Sequence, residues 1–258
     1  MTPLEASSPF SFSVVTIFPE FMAAFGDHGI IRRAADGGHI ELTTINPRDF
    51  TTDRHRTTDD RPYGGGPGMV MKPEPLAQAI ADAKARMPEG LVVHLTPQGK
   101  PFTQRVAAEL AGTPGLILVC GRYEGVDDRL ALTHIDVDVS IGDFVITGGE
   151  LAAMIVIDAV TRLVPGTLGN VDSAENDSFS DHLLEHGHYT RPRIFEDHPV
   201  PDVLTSGNHQ AIDRWRFETA VIRTLLHRAD LLEGRPLTLE TIDILKSWRA
   251  TIDRLIDR

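Results

Sequence analysis

Two glycine-rich turns, each directly after a short apolar run, constrain this chain more than any other feature. The run at residues 115–120 leads into a turn at 121–125, and the run at 137–141 leads into a turn at 142–150. Glycine lets the backbone bend sharply and approach a ligand closely. In open α/β sheets, ligands bind beside the carboxyl ends of the strands. The two turns therefore predict a ligand site at one edge of a parallel sheet.

The glycine spacing narrows the class of ligand. Neither turn has the G-x-G-x-x-G pattern of dinucleotide-binding folds or the G-x-x-x-x-G-K-[ST] pattern of a P-loop. This spacing argues against a Rossmann-type oxidoreductase and leaves another nucleotide-like ligand to be considered.

Apolar runs alternate with amphipathic segments before the chain changes character near Pro165. The β-type runs cover residues 13–18, 40–45, 91–95, 116–120 and 137–141, and the helical segments cover 20–25, 30–36, 75–87, 104–110 and 150–163. This alternation predicts a parallel sheet covered by helices. Residues 151–157 are apolar on nearly every face, which is typical of a buried helix or a subunit interface.

The composition predicts four segments. Residues 1–11 are expected to form a disordered or loosely docked tail, and residues 12–165 an α/β domain. Residues 166–181 are polar without periodicity and are expected to form a flexible linker. Two amphipathic patterns in residues 182–258 predict a small all-helical domain.

Charge and cysteine content give expectations about the binding partner and the cellular compartment. The formal net charge of −12 argues mildly against a nucleic-acid partner, although the region from about residue 186 to 228 is locally basic. Cys120 is the only cysteine, so no intrachain disulfide can form. We expect it to be a buried core residue in a reducing cytoplasm. The N-terminal segment lacks signal-peptide features, and no apolar stretch is long enough to span a membrane.

Several short motifs occur in a fixed order along the chain. They are Phe-Pro-Glu at 18–20, Pro-Arg-Asp-Phe at 47–50, a glycine-rich loop at 59–69, Pro-Gln-Gly at 97–99, the turns at 120–125 and 140–151, Asp-Ser-Phe at 177–179, His-Tyr-Thr-Arg-Pro at 188–192 and Ser-Gly-Asn-His at 206–209. In this combination the chain resembles the bacterial tRNA (guanine-N1)-methyltransferases of the SPOUT class, from about residue 12 to its end.

The resemblance implies a fold and an activity. It implies a SPOUT-type parallel sheet with a deep trefoil knot around residues 91–146, and a homodimer with active sites at its interface. It implies methyl transfer from S-adenosylmethionine to N1 of the guanine 3′ of the anticodon, at residue 37 of the tRNA. The partner would be the anticodon stem-loop, with Mg²⁺ acting together with the tRNA.

The resemblance also assigns the cofactor site. Tyr123 would supply a ring wall, Glu124 would face the cationic side of the donor, and Phe144 stands where relatives often carry Tyr. The full set of implied cofactor residues is Pro97, Gly121, Tyr123, Glu124, Ile141, Gly142, Phe144, Ile146, Gly148 and Gly149.

Two residues are candidates for catalysis. Guanine N1 carries a proton at neutral pH, so the reaction needs a general base and a group that stabilises charge on O6. Asp177 matches the family's catalytic aspartate, and Arg162 is the candidate for the oxygen. The alternatives are a surface linker carboxylate or an N-cap for Asp177, and an i, i+4 ion pair with Asp158 for Arg162.

The implied tRNA contacts fall in two parts of the sequence. The first part surrounds a long polar, glycine-rich loop at residues 53–69, called the long loop below, and contains Arg48, Arg54, His55 and Arg61. Ser178, His188, Arg191 and Asn208 follow later. His182, His186 and His188 suggest a zinc site only weakly, because a polar linker gives them no fixed geometry. No metal ligand is therefore assigned.

Two alternatives to the tRNA guanine methyltransferase remain open. One is a SPOUT methyltransferase with another RNA target. The other is an RNA-binding module that keeps the fold without catalysis.

Overall fold

The computed structural model describes residues 8–168, 177–179, 182–234 and 236–256. The chain divides into two compact units, Met1–Val171 and Asp172–Arg258. Residues 1–7 of the predicted tail and residues 169–176, 180 and 181 of the predicted linker lie outside the described residues.

The first unit is built on a five-stranded parallel sheet. The strands in chain order are β1 (Phe10–Val15), β2 (Ile40–Ile45), β3 (Asp59–Asp60), β4 (Val70–Met71), β5 (Leu91–Pro101), β6 (Gly115–Cys120) and β7 (Val137–Ser140). The sheet has the order β2-β1-β6-β5-β7, while β3 and β4 form a separate antiparallel pair. The predicted parallel sheet is confirmed.

Helices cover both faces of this sheet. They are α1 (Pro19–Gly26), α2 (Gly29–Asp36), α3 (Pro73–Arg86), α4 (Gln104–Ala111), α5 (Asp128–Thr133) and α6 (Glu150–Thr161). Successive strand side chains point to opposite faces, so Val14 packs in a core with α1, α2, α4 and α6, and Val15 packs in a second core with α3 and α5. The sheet is buried on both sides.

Strand β5 has an irregular path at the edge where the cavity described below lies. Leu95 and Lys100 both pair with Val139, so the residues between them leave the ladder and the chain returns across β7. A Cβ on Gly99 would lie 2.3 Å from the backbone nitrogen of Val139. Because that space is filled by main chain, the crossing requires glycine.

Two predicted boundaries at the ends of this unit are wrong. Phe10 and Ser11 belong to β1, where they pair with Ile40 and Glu41, so the sheet begins inside the predicted tail of residues 1–11. At the other end, Thr167 is buried, and its hydroxyl donates to the carbonyls of Thr161 and Val164. These bonds tie Thr167 to the last residue of α6 and to the turn that follows it, and the linker therefore does not begin at residue 166.

The second unit contains two long helices, α7 (His209–His227) and α8 (Leu239–Ile256), which pack against each other. It also contains a short antiparallel pair, β8 (Ile194–Phe195) with β9 (His198–Pro199). The prediction of an all-helical domain therefore missed this hairpin. No helix in the described ranges combines the length and apolarity needed to cross a membrane.

Candidate functional site

A cavity of about 510 Å³ lies where β5, β6 and β7 end. The sequence expectation of a site at this edge rested on the two glycine-rich turns, and both turns line the cavity. All the residues that the resemblance assigned to the cofactor are among its lining residues: Pro97, Gly121, Tyr123, Glu124, Ile141, Gly142, Phe144, Ile146, Gly148 and Gly149.

The two turns are joined by their backbones. The backbone nitrogen of Gly149 donates to the Gly121 carbonyl at 2.9 Å. A Cβ on Gly149 would lie 2.7 Å from the Cα of Cys120, and one on Gly148 would overlap the Arg122 guanidinium. Side chains at these positions would push the turns apart, so the two glycines keep the cavity wall closed.

A buried ion pair fixes the position of the first turn. Arg122 Nε lies 3.0 Å from Glu150 Oε2, and the carboxyl group is 1% exposed. The Thr16 hydroxyl donates to the other carboxylate oxygen at 2.7 Å, and the Arg122 guanidinium lies over the Phe18 ring. Each charge of the pair is thus hydrogen-bonded, the condition under which burying an ion pair is tolerated.

The long loop is attached to the same wall of the cavity. The nitrogen of Glu124 donates to the Met69 carbonyl at 3.0 Å, and the nitrogen of Met71 donates to the Gly125 carbonyl at 2.9 Å. Tyr123, which directly precedes these two bonded residues, has a positive φ of 59° and is half-exposed. The loop therefore holds the turn in a conformation that presents the Tyr123 ring at the cavity.

The cavity carries an excess of negative charge. Glu124, Asp128 and Asp138 line it, and Arg122, the one arginine that lines it in the described part of the chain, is paired with buried Glu150. An acidic wall favours a ligand that carries a positive charge.

Sequence reasoning missed several lining residues. Arg122 lies inside the motif at 120–125. Its pairing with Glu150 was missed because the two residues are 28 positions apart in the sequence. His94 is a lone polar residue in the apolar run of β5, and its ring nitrogen Nδ1 lies 2.9 Å from Asp138 Oδ1. A histidine within such a run was the available signal.

Cys120 is fully buried at the end of β6, and its burial raises the pKa of the thiol well above the ordinary value. The interpretation of this cysteine as a core residue agrees with that environment.

The two catalytic candidates lie in different units. Arg162 is the C-terminal cap of α6, where its backbone nitrogen donates to the Asp158 carbonyl at 3.1 Å, and it is not among the residues that line the cavity. Asp177 is half-buried and belongs to the second unit.

The first group of predicted RNA-binding residues lies in the polar region before β3 and in the long loop. Arg48 is held by this segment, since its guanidinium donates to the Arg56 carbonyl at 3.1 Å and Arg56 returns a bond to the Arg48 carbonyl. Arg54, His55 and Arg61 are exposed. Hydrogen bonds from Thr57 lower the pKa of Asp53. The Asp53 carboxylate also accepts from the His55 nitrogen and so organises the turn that carries Arg54 and His55.

The second group lies in the second unit, and three of its members have structural partners there. The Ser178 hydroxyl accepts from the Glu185 nitrogen at 3.0 Å, and His188 Nε2 lies 2.8 Å from Glu185 Oε1. The Asn208 side chain caps α7 by accepting from the Ala211 nitrogen at 3.2 Å. Arg191 is exposed.

Glu185, His186 and His188 bring their ligand atoms within 4.8 Å of one another. The sequence analysis considered His186 and His188 together with His182, but the third member of this group is Glu185. His186 also lies beside the Trp215 ring, at 6.3 Å between centroids.

Comparison with known proteins assigns the family. The model of the tRNA (Guanine-1)-methyltransferase TrmD family matches residues 10–234. A tRNA (guanine-N(1)-)-methyltransferase of Desulfatibacillum aliphaticivorans is 53% identical over 246 residues, which are 95% of this chain and 94% of that protein. A tRNA (guanine-N(1)-)-methyltransferase of Alcanivorax borkumensis is 56% identical over 229 residues, which are 88% of this chain and 86% of that protein.

A solved structure is also similar. The crystal structure of the tRNA (m1G37) methyltransferase from Aquifex aeolicus has a TM-score of 0.71 and 36% identity, and the match covers 87% of this chain and 95% of that one. The family model covers most of the chain, and the relatives match over nearly their whole lengths. The chain therefore belongs to the tRNA (guanine-N1)-methyltransferase family.

Proposed function

We propose that this protein transfers a methyl group from S-adenosylmethionine to N1 of guanine 37 in tRNA. One observation carries the proposal: in a chain of this family, the ten residues assigned to the cofactor line a single cavity. The chemistry of the cavity and the needs of the reaction support it further.

The cavity suits S-adenosylmethionine in shape and charge. The bare backbone at Gly148 and Gly149 allows a planar base to approach main-chain groups. Tyr123 and Phe144 offer ring faces, and the acidic wall at Glu124 suits the positively charged end of the ligand. When bound, S-adenosylmethionine supplies a methyl group on an electrophilic sulfonium.

The protein's own contribution is to align the partners and to make N1 of the guanine nucleophilic. We assign removal of the N1 proton to the Asp177 carboxylate, and stabilisation of the charge that develops on O6 to the Arg162 guanidinium. Asp177 lies in the Asp-Ser-Phe motif of the resemblance, and both residues lie within the part of the chain that the family model matches, which supports these assignments.

Arg48, Arg54, His55, Arg61, Ser178, His188, Arg191 and Asn208 are proposed to bind the anticodon stem-loop. Cationic and hydroxyl side chains of this kind position a nucleic acid through its phosphates. The bonds of Ser178, His188 and Asn208 within the second unit suit residues that also fix the surface on which the RNA binds.

We also propose the family's trefoil knot and homodimer for this chain. The return of β5 across β7 at Gly99 supports a knot in residues 91–146. Leu151 and Ile155, one helical turn apart on α6, leave nearly half of each side chain exposed, which supports an apolar subunit interface.

Magnesium is proposed to act with the RNA. In the part of the chain that the structure describes, the one group of three metal-capable side chains contains His186 and His188. Mg²⁺ prefers oxygen ligands and keeps several of its waters, so this group does not suit it.

A labelled-methyl assay tests the function directly. Purified protein is incubated with methyl-labelled S-adenosylmethionine and two tRNA transcripts that differ only in G or A at position 37. We expect label on the G transcript alone. Label on both transcripts would indicate another target atom, and label on neither would contradict the proposal.

A further inference from the structure

His94 and Asp138 form a buried cross-strand pair in the cavity wall. The two residues are directly opposite in the β5–β7 ladder, and Nδ1 of the imidazole lies 2.9 Å from Asp138 Oδ1. His94 is 7% exposed, yet both residues line the cavity. The pair thus combines a fixed ring orientation with access to the ligand space.

The partner determines which nitrogen carries the proton. An ionised carboxylate only accepts hydrogen bonds, so Nδ1 of His94 donates to Asp138. Burial lowers the pKa of His94, with Asp138 opposing part of this effect. The ring is therefore neutral near pH 7, and its other nitrogen, Nε2, presents a lone pair as a hydrogen-bond acceptor.

Nε2 lies next to the bare backbone of the first glycine turn. A Cβ placed on Gly121 would be 3.5 Å from this nitrogen, and Gly121 itself lines the cavity. Within the described residues, the bond through Nδ1 is the only side-chain hydrogen bond of His94. The charged lining residues Arg122, Glu124 and Asp128 follow β6 in this wall. Nε2 is thus an acceptor available to a ligand.

We propose that His94 is a specificity-determining residue whose Nε2 accepts a hydrogen bond from the adenosine half of the cofactor. The donor is a ribose hydroxyl or the adenine amino group, the groups on that half that can donate. The inference rests on the proposed function, because it takes S-adenosylmethionine as the ligand of this cavity.

Two substitutions separate the two ring nitrogens. His94→Asn places an amide donor near the position of Nδ1, keeping the bond to Asp138, and removes the acceptor. His94→Gln extends an amide oxygen towards the position of Nε2 and keeps an acceptor there. Both variants keep a polar neutral side chain in the wall, and circular dichroism checks that each is folded.

Calorimetric titration with S-adenosylhomocysteine measures the effect on affinity. We expect His94→Asn to weaken binding about threefold to tenfold, the range of one neutral hydrogen bond, and His94→Gln to restore part of this loss. Three analogues identify the donor: 2′-deoxy, 3′-deoxy and N6,N6-dimethyl S-adenosylhomocysteine. The analogue that lacks the donor should bind the wild type more weakly than S-adenosylhomocysteine does. Its affinity should not fall further when His94 is replaced by Asn.

The possible outcomes are distinct. If His94→Asn binds S-adenosylhomocysteine as tightly as the wild type, or weakens all three analogues by the same factor, His94 accepts no bond from the ligand and the inference is overturned. A folded wild type that binds none of the four compounds would instead overturn the proposed function.

Discussion

Among the charged residues that line the cavity, Arg122 is held in a buried ion pair. Arg122 is paired with the buried Glu150 carboxylate, which also accepts from Thr16. Removing one member of such a pair leaves an uncompensated charge in the interior, which costs about 3–5 kcal/mol. Arg122 therefore has a structural role in the wall.

Asp177 is the residue to which we assign the proton transfer. Asp177→Asn keeps the size of the side chain and removes its basicity. We expect the turnover number to fall at least about 100-fold, the lower end of general-base contributions, while calorimetry gives unchanged affinity for S-adenosylhomocysteine. The exposed Asp243 of α8 provides the matched control, Asp243→Asn. Near-normal turnover of Asp177→Asn would remove this residue from the mechanism.

His94 gives the stability of the fold a pH dependence of known sign. Burial lowers the pKa of His94 below its ordinary value of 6.5. Between these two pKa values, the imidazole is protonated in the unfolded chain and neutral in the folded protein. We expect this contribution to be complete above pH 6.5 and to be lost as the pH falls through the folded-state pKa.

Urea unfolding of the wild type and His94→Gln between about pH 8 and pH 5 measures this dependence. The difference between their free energies of unfolding should shift against the wild type as the pH falls. A difference independent of pH would show that the ring titrates equally in both states.

At the scale of elements, the cavity depends on how closely the two glycine turns approach. Gly149→Ala places a methyl group 2.7 Å from the Cα of Cys120. We expect the free energy of unfolding to fall by about 1–3 kcal/mol, as in other overpacked sites, and the affinity for S-adenosylhomocysteine to fall with it.

Gly112→Ala is the control for that change. Its Cβ would lie 3.4 Å from the nearest atom, the Glu109 carbonyl oxygen, at a C-cap with negative φ. We expect a change within about 0.5 kcal/mol. Equal effects of the two substitutions in urea unfolding would mean that the close approach at Gly149 is not a constraint.

The elements also indicate what sequence patterns can and cannot predict. Alternating apolar runs predicted the parallel sheet, because strands buried on both faces must be apolar. Helix α5 was missed, since its six residues contain one buried side chain, Leu130. The crossing at Gly99 could not be predicted from periodicity, because it depends on a contact with Val139, 40 residues later in the sequence.

The same limit applies to the candidate site. The glycine turns were visible in the sequence because each follows a strand directly. The pairs Arg122–Glu150 and His94–Asp138 were not, because each joins residues far apart in the chain. The hairpin of β8 and β9 has only two residues in each strand, which is too short for an alternation of apolar and polar residues.

For the molecule as a whole, the apolar face of α6 is the feature that points to assembly. Ile155→Glu would bury a charge in the proposed interface without disturbing the core, since Ile155 is 47% exposed. We expect the wild type to sediment as a dimer and the variant as a monomer with little methyl transfer.

Leu132→Glu is the matched control, because Leu132 of α5 is 85% exposed. We expect this variant to remain dimeric and active. A fully active monomer of Ile155→Glu would contradict a dimeric active site.

The pairing of Arg122 has a consequence for which metabolites the cavity accepts. Since Glu150 neutralises Arg122, the described residues of the wall keep the unbalanced carboxylates of Glu124, Asp128 and Asp138. These groups attract an adenosine with a cationic tail and repel one with a phosphate chain. Free nucleotides such as ATP share the adenosine, and we expect the acidic wall to disfavour their binding in this cavity.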